Sequence, residues 1–331
     1  MNKAIQKDAK IFVAGHLGLA GSAITRKLRS LGYANLVLRT RVQLDLQDAS
    51  AVRDFFKEER PEFVFLAAAK VGGILANRDF PAEFIAQNLR IQSNVIESAH
   101  HTGVKRLLFL GSSCIYPKLA PQPISEDQLL AGPLEFTNRS YAVAKIAGIE
   151  MCWAFNRQYG TGYLAAMPTN LYGPGDNYDL AASHVLPALI RKVDEAKRKG
   201  ELTVTVWGTG KPLREFLFSD DMADACVFLL NLPEKEFRNL TADSERAPLV
   251  NVGSGSELSI GELATKVCEV LDFSGSIVFD TTKPDGTPRK LMDSSRLFSY
   301  GWRPKVSLEE GILIAHADFC ARAASGKLGR S

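Results

Sequence analysis

The feature that most constrains the fold is a short apolar segment that runs directly into a glycine-rich loop. Residues 9–14 (AKIFVA) predict a buried strand, residues 15–21 (GHLGLAG) follow a G-x-x-G-x-x-G pattern, and the next segment (SAITRKLRSLG) predicts a helix ending at Gly32. Such glycines let the backbone turn tightly and approach a pyrophosphate, while the helix N-terminus offers unpaired N–H groups. In this strand–loop–helix context, the pattern predicts a dinucleotide-binding unit.

Apolar segments and helical segments then alternate along the first half of the chain. Segments 62–66, 107–110 and 163–167 are short and predominantly apolar, as expected of strands covered on both faces. We therefore predict an α/β protein with a Rossmann-type doubly wound parallel sheet and a smaller C-terminal α/β substrate domain. The predicted boundaries are 1–175 for the NADP-binding domain (with returning segments near 204–232 and 249–256), 176–321 for a mainly substrate-binding domain, and 322–331 for a frayed tail.

Composition excludes several classes of function. Net charge is only +3, which gives no electrostatic footprint for nucleic acid or for an anionic membrane, and no run approaches 18 apolar residues. The five cysteines are dispersed, with no CxxC pair and no metal-ligand spacing to a histidine. We therefore expect reduced thiols in a cytoplasmic protein, no metal site, no membrane segment and no nucleic-acid partner.

Chemically useful side chains follow the strand at 107–110, in the stretch GSSCIYP. Ligands of open α/β sheets bind beyond the carboxyl ends of the strands, so Ser112 and Cys114 are candidates to face one. If the chain stays extended there, the two side chains point the same way. Alternatively, the two serines only form a turn and Cys114 is a small buried residue. The residues alone leave both interpretations open.

A second candidate pair lies on the helix predicted by AVAKIAGIEMCWAF. Tyr141 and Lys145 are four residues apart and so share a helix face. An ammonium beside a phenol lowers the phenol's pKa, which lets it exchange a proton with a carbonyl oxygen near neutral pH. The Y-x-x-x-K spacing by itself is weak evidence for a catalytic pair. The presence of Ser112 and of the glycine loop strengthens this interpretation.

Charged and polar residues elsewhere give weaker signals. The second predicted strand ends in Arg39-Thr40-Arg41, where an NAD enzyme would have an acidic residue for the ribose; an arginine there favours NADP, unless both arginines are simply solvated. Arg214, in a loop after residues 203–207, is a candidate for binding phosphate. His184 has no metal partner in sequence and is interpreted from the residues alone as structural.

Taken together, the chain resembles the extended short-chain dehydrogenase/reductases that act on nucleotide sugars. The resemblance extends over nearly the whole chain and is most specific in six stretches: LAAAKVGGI (66–74), LLFLGSSCIYPK (107–118), YAVAKIAGI (141–149), MPTNLYGP (167–174), SHVLPALIRK (183–192) and KPDGTPRKLMD (283–293). It implies NADPH-dependent 3,5-epimerisation and 4-reduction of GDP-4-keto-6-deoxy-D-mannose to GDP-L-fucose. Two alternatives stay open: the same chemistry on a GDP-colitose or GDP-heptose type of sugar, and a non-catalytic NADP-binding regulator.

The resemblance also implies roles for individual residues and a homodimer. The implied catalytic residues are Ser112, Tyr141 and Lys145 for reduction, and Cys114 and His184 for epimerisation. The implied NADP(H) contacts are Gly15, His16, Leu17, Gly18, Leu19, Ala20, Gly21, Arg41, Leu110, Gly111, Ser112, Ser113, Lys145, Pro168, Thr169, Asn170, Leu171 and His184. The implied contacts to the GDP-sugar are Lys192, Trp207, Arg214 and Asp285. Leu17 departs from the family, which usually has an arginine there.

Overall fold

The computed structural model describes residues 5–180, 183–283, 285–326 and 328; the predicted tail at 322–331 lies partly outside them. In chain order the strands are β1 (Ile11–Ala14), β2 (Leu36–Val37), β3 (Phe63–Leu66), β4 (Arg106–Leu110), β5 (Tyr163–Pro168), β6 (Asn170–Tyr172), β7 (Thr203–Trp207), β8 (Leu213–Phe218), β9 (Leu249–Val252), β10 (Glu257–Ser259), β11 (Ser276–Asp280) and β12 (Arg289–Lys290). The α-helices are α1 (Leu19–Ser30), α2 (Ala49–Glu59), α3 (Ile74–Asp79), α4 (Pro81–His101), α5 (Arg139–Tyr159), α6 (Val185–Lys199), α7 (Ser219–Leu230), α8 (Glu234–Thr241), α9 (Ile260–Val270), α10 (Ser295–Ser299) and α11 (Leu308–Ala324).

The largest sheet has six parallel strands in the order β2-β1-β3-β4-β5-β9. Every residue of β1, β3, β4 and β5 is buried, as their continuous apolar sequences predicted. This confirms the predicted doubly wound parallel sheet. Strand β2 lies on one side of β1, and β3 and the later strands of this sheet lie on the other. The carboxyl ends of β1 and β3 therefore flank the switch point where such sheets bind ligands.

Helices cover both faces of this sheet because each presents one apolar face. One core packs residues of α1 and α7 against the sheet, and the other packs residues of α2, α4 and α5. Local sequence fixes several helix ends: Asp48 accepts hydrogen bonds from the backbone N–H groups of Ser50 and Ala51 at the start of α2, and Gly160 ends α5 at φ +66°. Among the described residues, no helix is long and apolar enough to cross a bilayer.

The C-terminal half builds smaller sheets around a third core. Strand β8 pairs with β6, β10 and β12, and helices α6, α9 and α11 contribute to the core beside them. Strand β9 and helix α7 do join the six-stranded sheet and its core. Strand β7, by contrast, pairs with β11 in a separate two-stranded sheet. The division at residue 175 remains a proposal.

Glu215, on β8, is a buried carboxylate that joins three segments. Its side chain is fully buried, and its oxygens accept hydrogen bonds from the backbone N–H groups of Gly255 (2.8 Å) and Met292 (3.0 Å). Its backbone carbonyl accepts from Asn170 Nδ2 (2.8 Å) and Thr169 Oγ1 (3.2 Å). Burial raises the pKa of this carboxyl, and the N–H donors oppose that effect.

Replacing Glu215 with alanine is expected to lower the free energy of unfolding by at least about 3 kcal/mol. A hydrogen bond to a charged group contributes about 1.5–3 kcal/mol, and a buried donor left without its acceptor costs about 1–3 kcal/mol. Urea unfolding measures the change. Glu58→Ala, on the exposed side of α2, is the matched control. A loss no larger than that of the control would contradict the role assigned to Glu215.

Candidate active site

The glycine loop between β1 and α1 comes close to the backbone of its neighbours. Gly15 has φ +83°, and a Cβ atom there would lie 2.7 Å from the backbone nitrogen of Ala68. A Cβ on Gly21 would lie 2.1 Å from the carbonyl oxygen of Gly15. Gly18 caps α1 without a side chain, and the first turn of α1 carries no acidic residue. A diphosphate therefore fits the backbone N–H groups and positive end of this helix.

Two side chains of the loop differ in exposure. Leu17 is 61% exposed, so the loop presents an apolar side chain at its surface. His16 has a buried Nδ1 with no hydrogen-bond partner among the described residues. Burial, and secondarily the charge of Arg29, lower the pKa of His16, so its imidazole is neutral at pH 7.

The two arginines after β2 have different surroundings. Arg39 pairs with Glu59 and lies over the ring of Phe55, 5.6 Å from its centroid. The side chain of Arg41 is 73% exposed and only reaches Asp45 at 3.8 Å. Arg41 is thus the one available for a 2′-phosphate, whereas Arg39 is part of the fold.

The chain does not stay extended after β4. Residues Ser113–Ile115 form a 3₁₀ turn, and Ser112 Oγ caps it by accepting a weak hydrogen bond from the backbone N–H of Cys114 (3.5 Å). The condition under which Ser112 and Cys114 would point the same way, an extended segment, is therefore not met. The turn still keeps the Ser112 hydroxyl beside Cys114, and the Cys114 residue is 6% exposed.

Opposing effects act on the Cys114 thiol. Burial raises its pKa, while Lys290, the Ser112 hydroxyl and Lys145, in that order, favour the thiolate. Lys290 lies on β12, opposite Arg214 of β8. No role was predicted for Lys290; the one available signal was its place in the stretch 283–293, which carries the family resemblance.

Lys145 and Tyr141 lie together on α5. Lys145 Nζ donates to the carbonyl oxygen of Leu110 (2.8 Å) and lies 5.8 Å from the centroid of the Tyr141 ring. Burial lowers the pKa of Lys145 to about 8, with Cys114 opposing that shift. Tyr141 packs edge-on against Phe84 of α4, with ring centroids 6.1 Å apart. The Leu110 contact ties this helix to the carboxyl end of β4.

The remaining predicted cofactor residues lie beyond β4 and β5. Gly111 follows β4, where a Cβ would collide with Met167. Pro168 ends β5, and the side chains of Thr169 and Asn170 are held by Glu215 as described above; Leu171 lies in β6. His184 is exposed and immediately precedes α6.

The predicted sugar-nucleotide residues gather at the ends of β7 and β8. Trp207 is 48% exposed, with Lys192 Nζ 5.3 Å and Lys283 Nζ 5.6 Å from its ring centroid. Asp285 accepts from the Thr209 backbone N–H (2.9 Å) and hydroxyl (2.7 Å), which lower its pKa. Lys192 donates to the carbonyl oxygen of Thr205 (2.9 Å). Sequence reasoning missed Lys283.

Two basic residues, Arg214 and Lys290, lie between this region and the Cys114 thiol. Burial lowers the pKa of Arg214, and Asp285 opposes the shift. Burial also lowers the pKa of Lys290; Cys114 opposes this effect, while the charge of Arg214 adds to it. Arg214 and Lys290 therefore connect the half-exposed Trp207 region with the buried Cys114.

The sequence matches a family model over residues 11–241, and that family is described as the NAD dependent epimerase/dehydratase family. The chain belongs to this family. Among similar proteins, GDP-L-fucose synthase 1 of Arabidopsis thaliana is 59% identical over 92% of this chain and 91% of its own length. GDP-L-colitose synthase of Yersinia pseudotuberculosis is 36% identical over 92% of this chain and 95% of its own.

A solved structure has the same overall fold. The crystal structure of a GDP-L-fucose synthetase from Naegleria fowleri bound to NADP superposes with a TM-score of 0.88. It is 28% identical, and the match covers all of this chain and 98% of that one. The epimerase/dehydratase fold thus extends through the C-terminal sheets, beyond the residues that the family model matches.

Proposed function

We propose that this chain converts GDP-4-keto-6-deoxy-D-mannose to GDP-L-fucose by NADPH-dependent 3,5-epimerisation and 4-reduction. The observation that carries the proposal is the 59% identity to a GDP-L-fucose synthase across 92% of the chain. The buried Cys114, flanked by Ser112, Lys145 and Lys290, agrees with it chemically. The test is NMR identification of the product formed from the keto sugar and NADPH.

The glycine loop fits the cofactor. The first turn of α1 would hold its diphosphate, and Arg41 would bind the 2′-phosphate that distinguishes NADP from NAD. The NADP-bound structure of a relative supports the same choice. When bound, NADPH supplies the hydride for C4 of the sugar.

Cys114 and His184 are proposed to exchange protons with the sugar carbon atoms. A ketone at C4 acidifies the hydrogens at C3 and C5, so a thiolate can remove one and an imidazole can return a proton to the opposite face. Lys290, Ser112 and Lys145 favour the thiolate against the effect of burial. Repeating this exchange at both carbons inverts both.

Ser112, Tyr141 and Lys145 are proposed to act on the oxygen at C4. Tyr141 donates its phenolic proton as negative charge develops on that oxygen, and the Ser112 hydroxyl donates a hydrogen bond to it. The ammonium of Lys145, 5.8 Å from the Tyr141 ring, favours the phenolate that remains. Arg214 neutralises diphosphate charge, and Trp207 offers an aromatic surface to the guanine.

Changing Lys290 to methionine is expected to move alkylation of Cys114 to higher pH. Lys290 lowers the pKa of the thiol, so its removal leaves the effect of burial less opposed. Iodoacetamide labelling of Cys114 across a pH series, read by mass spectrometry, measures the midpoint. Lys290→Arg is the matched control and should stay near the wild-type midpoint. An unchanged midpoint in Lys290→Met would disprove the coupling.

The nearest alternative keeps this chemistry and changes the sugar. The lower identity to the colitose enzyme, 36% against 59%, favours the fucose assignment. Turnover of GDP-4-keto-6-deoxymannose against its 3-deoxy analogue separates the two. A non-catalytic NADP-binding regulator is disfavoured because Tyr141, Lys145, Cys114 and His184 are all present; it would bind NADPH without oxidising it in the presence of the keto sugar.

We further propose a homodimer in the cytoplasm. Helices α4 and α5, 21 residues each, pack side by side and carry apolar residues such as Leu89 and Val143 that belong to none of the three cores. A second copy could cover these residues by forming a four-helix contact. Light scattering of the purified protein tests the assembly. The five cysteines are dispersed along the sequence without a CxxC pair, which agrees with a reducing compartment.

A further inference from the structure

Three side chains with metal-binding atoms meet where helices α6 and α11 pack together, outside the site described above. Asp194 comes from α6, and His316 and Cys320 come from α11. His316 Nε2 lies 2.8 Å from Asp194 Oδ1. Cys320 Sγ lies 3.3 Å from that nitrogen and 3.7 Å from that oxygen. Carboxylate, imidazole and thiol are thus all in mutual contact.

The spacing suits one small cation of borderline softness. Zinc is held by thiolate, imidazole and carboxylate at about 2.0–2.3 Å, which in a tetrahedron places the ligand atoms about 3.4–3.6 Å apart. The three observed separations, 2.8, 3.3 and 3.7 Å, bracket that range. Side-chain shifts of a few tenths of an ångström would therefore open a place for the ion.

We propose that Asp194, His316 and Cys320 bind a zinc ion, with solvent in the fourth position. His316 and Cys320 are four residues apart and so lie on one face of α11, the spacing that helices use to present two ligands to one ion. Cys320 is exposed, which gives the ion a path of entry, whereas Asp194 is 8% exposed and fixed in the helix packing.

The protons and charges balance on binding. The Cys320 thiol loses its proton to solvent, and the imidazole hydrogen that faces Asp194 moves to Nδ1, which leaves the Nε2 lone pair for the ion. One thiolate and one carboxylate then neutralise the divalent charge. Arg198, one turn along α6, forms an ion pair with the other oxygen of Asp194 and leaves Oδ1 for the ion.

The ion would fasten α6 to α11. Helix α6 begins directly after His184 and carries Lys192, so the site would hold this helix in place from the side opposite the sugar-nucleotide region. The inference does not depend on the proposed reaction. The expectation that no cysteine has metal-ligand spacing to a histidine overlooked the four-residue spacing of His316 and Cys320, and Asp194 lies far from both along the chain.

Cobalt substitution tests the site in the full-length, chelator-treated protein. One equivalent of Co²⁺ should produce a thiolate-to-cobalt charge-transfer band and the visible bands of a four-coordinate ion. Cys320→Ser should lose the charge-transfer band, while Cys268→Ser, which removes a cysteine outside the cluster, should keep it. Absence of the band in the wild type, or its persistence in Cys320→Ser, would overturn the proposal.

Zinc affinity and thermal unfolding give a second readout that is independent of activity. Asp194→Asn keeps the side-chain shape and His316→Gln removes the imidazole, and each should weaken Zn²⁺ binding by more than the roughly 10–100-fold typical of outer-shell changes. Zinc should raise the wild-type unfolding temperature, and a chelator should reverse the rise. An equal rise in the wild type and all three ligand variants, including Cys320→Ser, would show binding elsewhere and refute the site.

Discussion

Cys114→Ser is expected to reduce formation of the epimerised product by about 10²–10⁴-fold, the usual contribution of a positioned general acid or base. A serine hydroxyl fills the same buried space beneath the 3₁₀ turn but does not ionise near neutral pH. Lys290 and Lys145, which favour the thiolate in the wild type, would then have no anion to stabilise. The loss should appear in the proton-transfer steps and not in folding.

The measurement is NMR of the reaction in D₂O, with deuterium counted at C3 and C5 of the product. Both Cys114→Ser and His184→Gln should lose solvent deuterium at these positions. Cys268→Ser, in a helix of the third core, is the matched control and should incorporate deuterium like the wild type. Full exchange in both test variants would disprove the assignment of Cys114 and His184 as the proton-transfer pair.

Tyr141→Phe is expected to slow NADPH oxidation by about 10²–10⁴-fold while leaving exchange at C3 and C5 in place. The phenylalanine retains the edge-on packing with Phe84 and removes only the group that protonates the developing alkoxide. Loss of NADPH absorbance measures reduction, and deuterium incorporation measures epimerisation in the same sample.

Tyr159→Phe provides the control for this second prediction. Tyr159 ends the same helix and is 51% exposed, so removal of its hydroxyl should leave both rates near wild type. If Tyr141→Phe reduced the substrate at the wild-type rate, the phenol would not be the proton donor. If it lost exchange as well, reduction and epimerisation could not be assigned to separate groups.

Local sequence patterns determined the central architecture of this protein. Short apolar segments between helical segments specified a parallel sheet, and a strand followed by closely spaced glycines specified the tight loop before α1. The four-residue spacing of Tyr141 and Lys145 likewise assigned both to one helix. These features follow from the sequence because strand and helix periodicities extend over only a few residues.

Tertiary structure decided the features that depend on residues far apart in the chain. Pairing of β12 with β8 brings Lys290 to Cys114, and packing of α11 on α6 brings His316 and Cys320 to Asp194. The ion pair with Glu59 holds Arg39 in the fold, whereas Arg41 has no such partner among the described residues of α2 and is the arginine available for a phosphate. Helix and strand periodicity within a segment cannot predict these contacts, because each contact depends on how whole elements pack together.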